Sequence, residues 1–143
     1  LLRAWKIFDW GIYRKIMQKN ILVIDDESAL QKTLGEFLRT QNYNVISALD
    51  GELGIALARE KKPDLILLDL VMPKKNGFEV LKELKSDMAT KIIPVIVLTN
   101  LSEMADIDKV LELGATTYLV KGDHALVDIL QKVKFTLGED DLG

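Results

Sequence analysis

From Asn20 onward, short wholly apolar runs alternate with stretches whose apolar residues recur at helical spacing. Ile21-Leu22-Val23-Ile24 is strand-sized and stops at Asp25; Leu30, Leu34, Phe37 and Leu38 then follow at i, i+4, i+7 and i+8, one face of a helix. Tyr43–Ala48 reads as a second strand, and Asp50-Gly51 opens a helix that Pro63 closes. Leu65–Leu68 is another apolar run ended by an aspartate, Asp69. Asn76-Gly77 turns into a helix carrying Phe78, Leu81 and Leu84, and Ile92–Leu98, with Pro94 near its start, predicts a fourth strand ending at Thr99. Ser102 is placed to cap a helix with Met104, Ile107, Val110 and Leu111 inward and Gly114 at its C′ position. Thr116–Val120 is the fifth strand, ending at Lys121, and Leu126, Ile129, Leu130, Val133 and Leu137 line the last helix.

The pattern is (βα)5. Apolar runs without alternation belong to strands buried on both faces, hence to a parallel sheet covered by helices on each side. Right-handed crossovers leave few topologies, and in such open sheets the site lies beyond the carboxyl ends of the strands, where the strand order reverses. The flavodoxin-like order 2-1-3-4-5 comes from the fold class and not from the pattern itself.

Composition narrows the chemistry. The 143 residues suffice for one domain with a full core, expected over 20–138, with a head at 1–19 and an acidic tail at 139–143. Without cysteine there is no disulfide framework, thiolate metal site or cysteine nucleophile, and the lone His124 argues against zinc chemistry and a Ser–His–Asp triad. His124 follows Asp123 at the start of the last helix and reads as a solvated first-turn residue. No apolar stretch is long enough to span a bilayer and no signal-peptide pattern precedes the domain, so a cytoplasmic location is expected. The net charge of −3 hides an asymmetry: residues 1–20 carry five basic residues against Asp9, a balance of +4, which leaves −7 for the rest. An acidic body argues against nucleic-acid binding by the domain itself.

The strand ends deliver Asp25 and Asp26, Asp69, Thr99 and Lys121 to one crevice. Three carboxylates so close would repel, and a divalent cation resolves this. Oxygen ligands without His or Cys suit a hard ion, and few carboxylates with retained waters suit Mg²⁺ better than Ca²⁺. A carboxylate beside Mg²⁺ with a lysine opposite is equipped to attack phosphorus and form an acyl phosphate.

Ile24-Asp25-Asp26-Glu27, Leu68-Asp69-Leu70-Val71-Met72-Pro73 with Gly77 following, Val97-Leu98-Thr99, and Gly114-Ala115 with Tyr118-Leu119-Val120-Lys121 together resemble the receiver domains of two-component response regulators. The resemblance runs from about residue 20 to about residue 137. It implies a stand-alone regulatory phosphoacceptor and not an enzyme acting on a separate substrate. Asp69 resembles the phosphoacceptor, loaded by a histidine kinase, a phosphotransfer protein or a small phosphodonor. Asp26 would ligate Mg²⁺ directly, Asp25 directly or through water, and the Val71 carbonyl would complete the protein ligands. Lys121 would hold the phosphoryl group on the side away from the metal. Thr99 and Tyr118 look like the coupled switch pair that remodels the surface of the fourth helix, fifth strand and fifth helix of a receiver, where an output partner would bind.

Two positions depart from the family's pattern. Gly122 stands where proline usually follows the lysine, and Asn100 where a small residue usually follows the threonine. Both put rates in question and remove no reactive group. A degenerate receiver that binds partners without phosphorylation is therefore the alternative function. A haloacid-dehalogenase-type phosphatase would need a second acid two residues after the nucleophile, where this chain has Val71. A flavin carrier of this topology would need a phosphate-binding loop, and Asp25-Asp26-Glu27 would repel the phosphate. Glu27 itself reads as a helix-start acid.

In the head, Leu1, Trp5, Phe8, Ile12 and Ile16 form a stripe on one helical face, with both tryptophans, Trp5 and Trp10, in this segment. Met17 begins Met17-Gln18-Lys19-Asn20-Ile21, as a free receiver would start, so a native head and an appended or engineered one both stay open. The stripe is expected to pack on the receiver body, at the fourth-helix, fifth-strand and fifth-helix face, or on a second copy as a dimer.

Overall fold

The computed structural model describes residues 8–72, 74–100, 104–122 and 125–139. The expectations that fall on Leu1, Trp5, Pro73, Ser102 and His124, and on the tail at 140–143, lie outside the described residues.

Five strands, β1 (Asn20–Ile24), β2 (Asn44–Ala48), β3 (Leu65–Asp69), β4 (Val95–Thr99) and β5 (Thr117–Val120), form one sheet in the order β2-β1-β3-β4-β5. Every pairing is parallel. Between and around them run α1 (Trp10–Met17), α2 (Ser28–Thr40), α3 (Gly51–Lys61), α4 (Gly77–Ser86), α5 (Met104–Glu112) and α6 (Ala125–Thr136). The flavodoxin-like (βα)5 architecture read from the sequence is the one observed, with α1 as the extra helix ahead of it. The fourth and fifth helices of the (βα)5 pattern are thus α5 and α6 here.

Strand alternation divides the core in two. Leu22, Ile24, Ile66, Leu68, Val95 and Val97 face α3, α4 and α5 and pack with Ile55, Ala58, Val80, Leu81, Leu84 and Val110. Ile21, Val23, Leu65, Leu67, Ile96 and Leu98 face the other way, against Leu34, Leu38, Ile129 and Val133 of α2 and α6. Both faces of β3 and β4 are therefore buried along their whole length, which is why these segments read as unbroken apolar runs. Each such buried aliphatic side chain contributes about 1.5–3 kcal/mol relative to exposure. The strand order reverses between β1 and β3, and the crevice above that point is where the strand-end residues meet.

Local signals set the helix starts. Asp50 Oδ1 accepts the Leu53 amide at 2.8 Å, and Asn76 Oδ1 accepts that of Glu79 at 3.1 Å, each satisfying an amide the helix leaves open. The left-handed Lys62 stops α3 just before Pro63. The fourth strand starts later than expected, at Val95, because Pro94 has no N–H to give a ladder and contributes only its carbonyl, which accepts from Ile66. Glu139, expected to open the acidic tail, is tied to the body by the buried Tyr43, whose hydroxyl donates to its carboxylate at 2.7 Å.

The head differs from expectation. Asp9 caps α1 through the Ile12 amide, so the helix begins at Trp10 and Phe8 precedes it. Phe8, Trp10 and Tyr13 stack on one another, with ring centres 4.9–5.8 Å apart. Ile12 and Ile16 remain exposed, Ile16 at 73%. The described stripe residues Phe8, Ile12 and Ile16 therefore do not pack on the body of the domain, one of the two surfaces expected for them. Two residues join α1 to β1, and Gln18 Nε2 donates to Asn42 Oδ1 at 3.1 Å. Tyr13, Arg14 and Met17 of α1 line a pocket together with Tyr43, Lys134 and Glu139.

Candidate metal and phosphoryl site

The parallel register brings the strand ends level. Ile24 lies beside Ala48 and Leu68, Asp69 beside Leu98, and Thr99 beside Val120. The ladder extends one step past the strands, through Asp25 N to Ala48 O at 3.0 Å, Leu70 N to Leu98 O at 3.2 Å and Lys121 N to Thr99 O at 2.8 Å. Sheet hydrogen bonds, and not loop packing alone, therefore fix the backbone on which these side chains sit.

Asp25 and Asp69 are buried, at 1% and 7% exposure, and Asp26 is exposed at the rim. One carboxylate oxygen from each lies within 4.8 Å of the others. Lys121 Nζ stands 3.6 Å from Asp25 Oδ2 and 3.7 Å from Asp69 Oδ1, pairing with both. Asp25 Oδ1 accepts the Glu27 amide at 2.9 Å, and Asp69 Oδ1 the Val71 amide at 3.4 Å. Asp25 Oδ2 has no hydrogen-bond partner among the described residues although it is buried.

Burial pushes the carboxyls of Asp25 and Asp69 above the usual carboxylate range. The Glu27 amide and Lys121 oppose this at Asp25, while Asp26 and Glu27 add to it. At Asp69, Lys121 and the Val71 amide oppose it, while Asp25 and Asp26 add to it. The lysine thus offsets only part of the charge, and the pocket favours additional positive charge.

Thr99 is buried at the end of β4. Alternation puts it on the same sheet face as Val97, and Tyr118, paired with Val97, packs against that same side of the core while half-exposed. Val71 is exposed beside the site. The structure therefore gathers Asp25, Asp26, Asp69 and Lys121 by direct distance, holds Thr99 at the same edge, and leaves Tyr118 one step down the strand.

Two residues to which the sequence assigned no part in the site shape it. A Cβ at Gly77 would lie 2.5 Å from the Asp69 carbonyl oxygen and 2.5 Å from Leu70 Cα, so α4 can start this close to the Asp69 backbone only without a side chain there. Gln31, 5% exposed, faces inward from α2 and bonds to strand-end carbonyls. The inward stripe of α2 includes Gln31, Leu34, Gly35 and Leu38; the spacing i, i+3, i+4, i+7 was the available signal, with a polar residue in its first place.

Gly122, one of the two departures from the family pattern, has open space around it: a Cβ would meet nothing within 4 Å. Gly122→Ala is accordingly expected to stabilise the protein by about 0.4–1 kcal/mol by restricting the unfolded chain. Urea unfolding with an unchanged or lower midpoint would contradict this.

Residues 21–134 match the family model described as the response regulator receiver domain. A 106-residue stretch is 44% identical to the probable transcriptional regulator ycf27 of Porphyridium aerugineum, covering 73% of this chain and 43% of that protein. The chain thus spans less than half the length of that curated relative. Among solved structures, the chemotaxis protein CheY4 of Vibrio cholerae superimposes with a TM-score of 0.74 at 29% identity, over 81% of this chain and 98% of that one. The Mn²⁺-bound form of the response regulator Rcp1 does so with a TM-score of 0.74 at 34% identity, over 87% and 99%.

Proposed function

The chain belongs to the response regulator receiver family, whose work is phosphorylation-based signalling, and from that membership we propose that Asp69 is its phosphoacceptor, served by Mg²⁺. The observation that carries this is the buried Asp69 with Lys121 Nζ at 3.7 Å and oxygens of Asp25 and Asp26 within 4.8 Å.

The donor set fits the metal. All ligand atoms are oxygen, two of the three carboxylates are buried, and Asp25 Oδ2 lacks a hydrogen-bond partner that a cation would replace. Asp25, Asp26, Asp69 and the Val71 carbonyl would hold Mg²⁺. When bound, the ion offsets the charge of the carboxylates and of the transferring group. The description of Rcp1 as a Mn²⁺-bound form supports a divalent cation in this family.

Asp69 then forms a bond from one carboxylate oxygen to phosphorus, while the bond from phosphorus to the donor breaks and its electron pair leaves with the donor. That donor is the phosphohistidine of a kinase or phosphotransfer protein, or an acyl phosphate. Lys121 pairs with a phosphoryl oxygen opposite the metal, and the Thr99 hydroxyl donates to another. Such electrostatic positioning supplies most of the catalysis in phosphoryl transfer. Drawing Thr99 toward the phosphoryl group vacates space on the sheet face it shares with Tyr118, which turns inward and reshapes the α5–β5–α6 surface for an output partner.

Incubation with Mg²⁺ and acetyl phosphate, followed by intact mass, should show a gain of one HPO₃ group. A chain that binds Mg²⁺ and gains no mass would be a phosphorylation-independent binding module instead. Lys121→Ala is expected to leave Mg²⁺ affinity nearly unchanged while phosphorylation no longer shifts the amide resonances of α5, β5 and α6. Loss of Mg²⁺ binding in that variant would contradict the role given to the lysine.

A further inference from the structure

Gln31 lies on α2, outside the set of groups that touch the metal or the phosphoryl group. Its side chain reaches from the first turns of that helix to the carboxyl end of the sheet. There Nε2 stands 2.9 Å from Val23 O, 3.1 Å from Asp25 O and 2.8 Å from Ala48 O. These carbonyls belong to the last turns of β1 and β2, on the residues that carry or flank Asp25. Ala48 O also accepts the Asp25 amide at 3.0 Å, so the side chain closes a small ring around the strand end.

The amide orientation is forced. Three carbonyl oxygens surround one end of the side chain, and only the NH₂ end can donate to them; the reversed amide would set oxygen against oxygen. Two N–H groups serve three acceptors, so one bond is shared. The cost is visible at the other end, where Oε1 is buried with no hydrogen-bond partner among the described residues. A side chain that leaves its own oxygen unsatisfied in order to bind three carbonyls is an unusual element in an otherwise apolar stripe.

We infer that Gln31 is a positioning residue for the acidic pocket, holding the Asp25 backbone so that its carboxylate stays aimed at the metal. Asp25 Oδ1 is already committed to the Glu27 amide, while the buried Oδ2 has no hydrogen bond among the described residues and only the Lys121 ammonium at 3.6 Å. The aim of Oδ2 therefore depends on the backbone at Asp25, which the sheet holds through its amide and Gln31 through its carbonyl. Without Gln31 the Asp25 and Val23 carbonyls lose the side-chain donor, and the Asp25–Glu27 segment is held from one side only. This inference rests on the reading of Asp25, Asp26 and Asp69 as metal ligands.

The test compares wild type with Gln31→Met, which keeps the length and removes the donors, and Gln31→Asn, which keeps the amide one methylene short of its acceptors. Mg²⁺ affinity is read from the amide resonances of Asp25–Glu27 on the folded protein, beside urea unfolding of the same samples. Outer partners of metal ligands typically set 10–100-fold in affinity, and a backbone-directed bond belongs at the lower end, about tenfold. Both variants should lose about that much affinity, and in metal-free protein the Asp25 and Glu27 amides should exchange faster relative to the Leu22 amide. A variant that unfolds more easily but binds Mg²⁺ within twofold of wild type, with local exchange unchanged, would make Gln31 a core residue and nothing more. Should wild type bind no Mg²⁺, the metal reading falls, and the exchange comparison in metal-free protein decides the role of Gln31 alone. If Gln31→Met does not fold, Gln31→Asn carries both measurements.

Discussion

Asp69→Asn should abolish the mass gain from acetyl phosphate completely and, in the presence of a chelator at neutral pH, make the protein more stable than wild type. Both halves come from one arrangement. Asp69, the proposed phosphoacceptor, is the carboxylate that ends β3, and an amide in its place cannot form the acyl phosphate. Asp69 is also buried against Asp25 and Asp26, and burial first, then their repulsion, holds its carboxyl above the usual range. A carboxyl whose folded pKa is raised binds its proton more tightly in the folded than in the unfolded state. Stability is then lost as pH rises from the unfolded value of 3.8 through the raised one, and the penalty is in full force above it. Asparagine removes the penalty, a gain of about 1–2 kcal/mol if it equals relief of one poorly satisfied buried group. The advantage should shrink on acidification toward pH 4, and again on adding Mg²⁺, which binds only the folded wild-type pocket and stabilises it by mass action. Urea midpoints at two pH values, with and without Mg²⁺, check each part. A variant no more stable than wild type in chelator would show that Lys121 already neutralises the pocket.

Gly77→Ala should be the most damaging change that touches no charged group. The new Cβ would fall 2.5 Å from two backbone atoms of the β3–α4 connection, the Asp69 carbonyl oxygen and Leu70 Cα. Backbone cannot rotate away as a flexible side chain can, so either α4 shifts or the loop does. Gly77 N also donates to Leu70 O at 2.9 Å, and that bond must break or bend. Overpacking of this kind costs about 1–3 kcal/mol. The functional loss should be larger in proportion, because a displacement of about 1 Å in a reacting group can cost ~100-fold in rate. Comparing acetyl phosphate turnover with urea stability separates the two; a rate within a few-fold of wild type would mean that the loop yields without moving Asp69.

The site was legible because parallel sheets write their chemistry at fixed places. Asp25, Asp69, Thr99 and Lys121 each follow an apolar run directly, and the register that brings those run ends level is a property of the fold. Gln31 was not legible by the same logic: its partners are carbonyls on β1 and β2, seventeen residues away in the case of Ala48, and no local pattern announces a bond to backbone. Gly77 was read as a turn residue, which it is, but the close approach of β3 to α4 depends on tertiary packing. In the head the apolar spacing pointed to a helix, and α1 is one over Trp10–Met17, but spacing alone does not say where a helix begins. Asp9 as an N-cap was the contrary signal, and it starts the helix at Trp10. The stripe's spacing predicted a packed face; Phe8, Ile12 and Ile16 are instead exposed, because nothing in the spacing says which surface covers them.

The position of α1 has a consequence for how the molecule can be watched. Both tryptophans precede β1 in the chain, and Trp10 is 53% exposed on a helix that contributes no buried residue. The emission of Trp10 therefore reports on the head and is nearly blind to the sheet. An unfolding curve followed by that emission would show little change while the body melted, and its mismatch with circular dichroism would mimic an intermediate. The body's own chromophores are Tyr43, buried and bonded to Glu139, and Tyr118, packed on the core beneath Thr99. Absorbance of those two rings, with the head's Tyr13 as the exposed reference, is the spectroscopic signal that follows the receiver body itself.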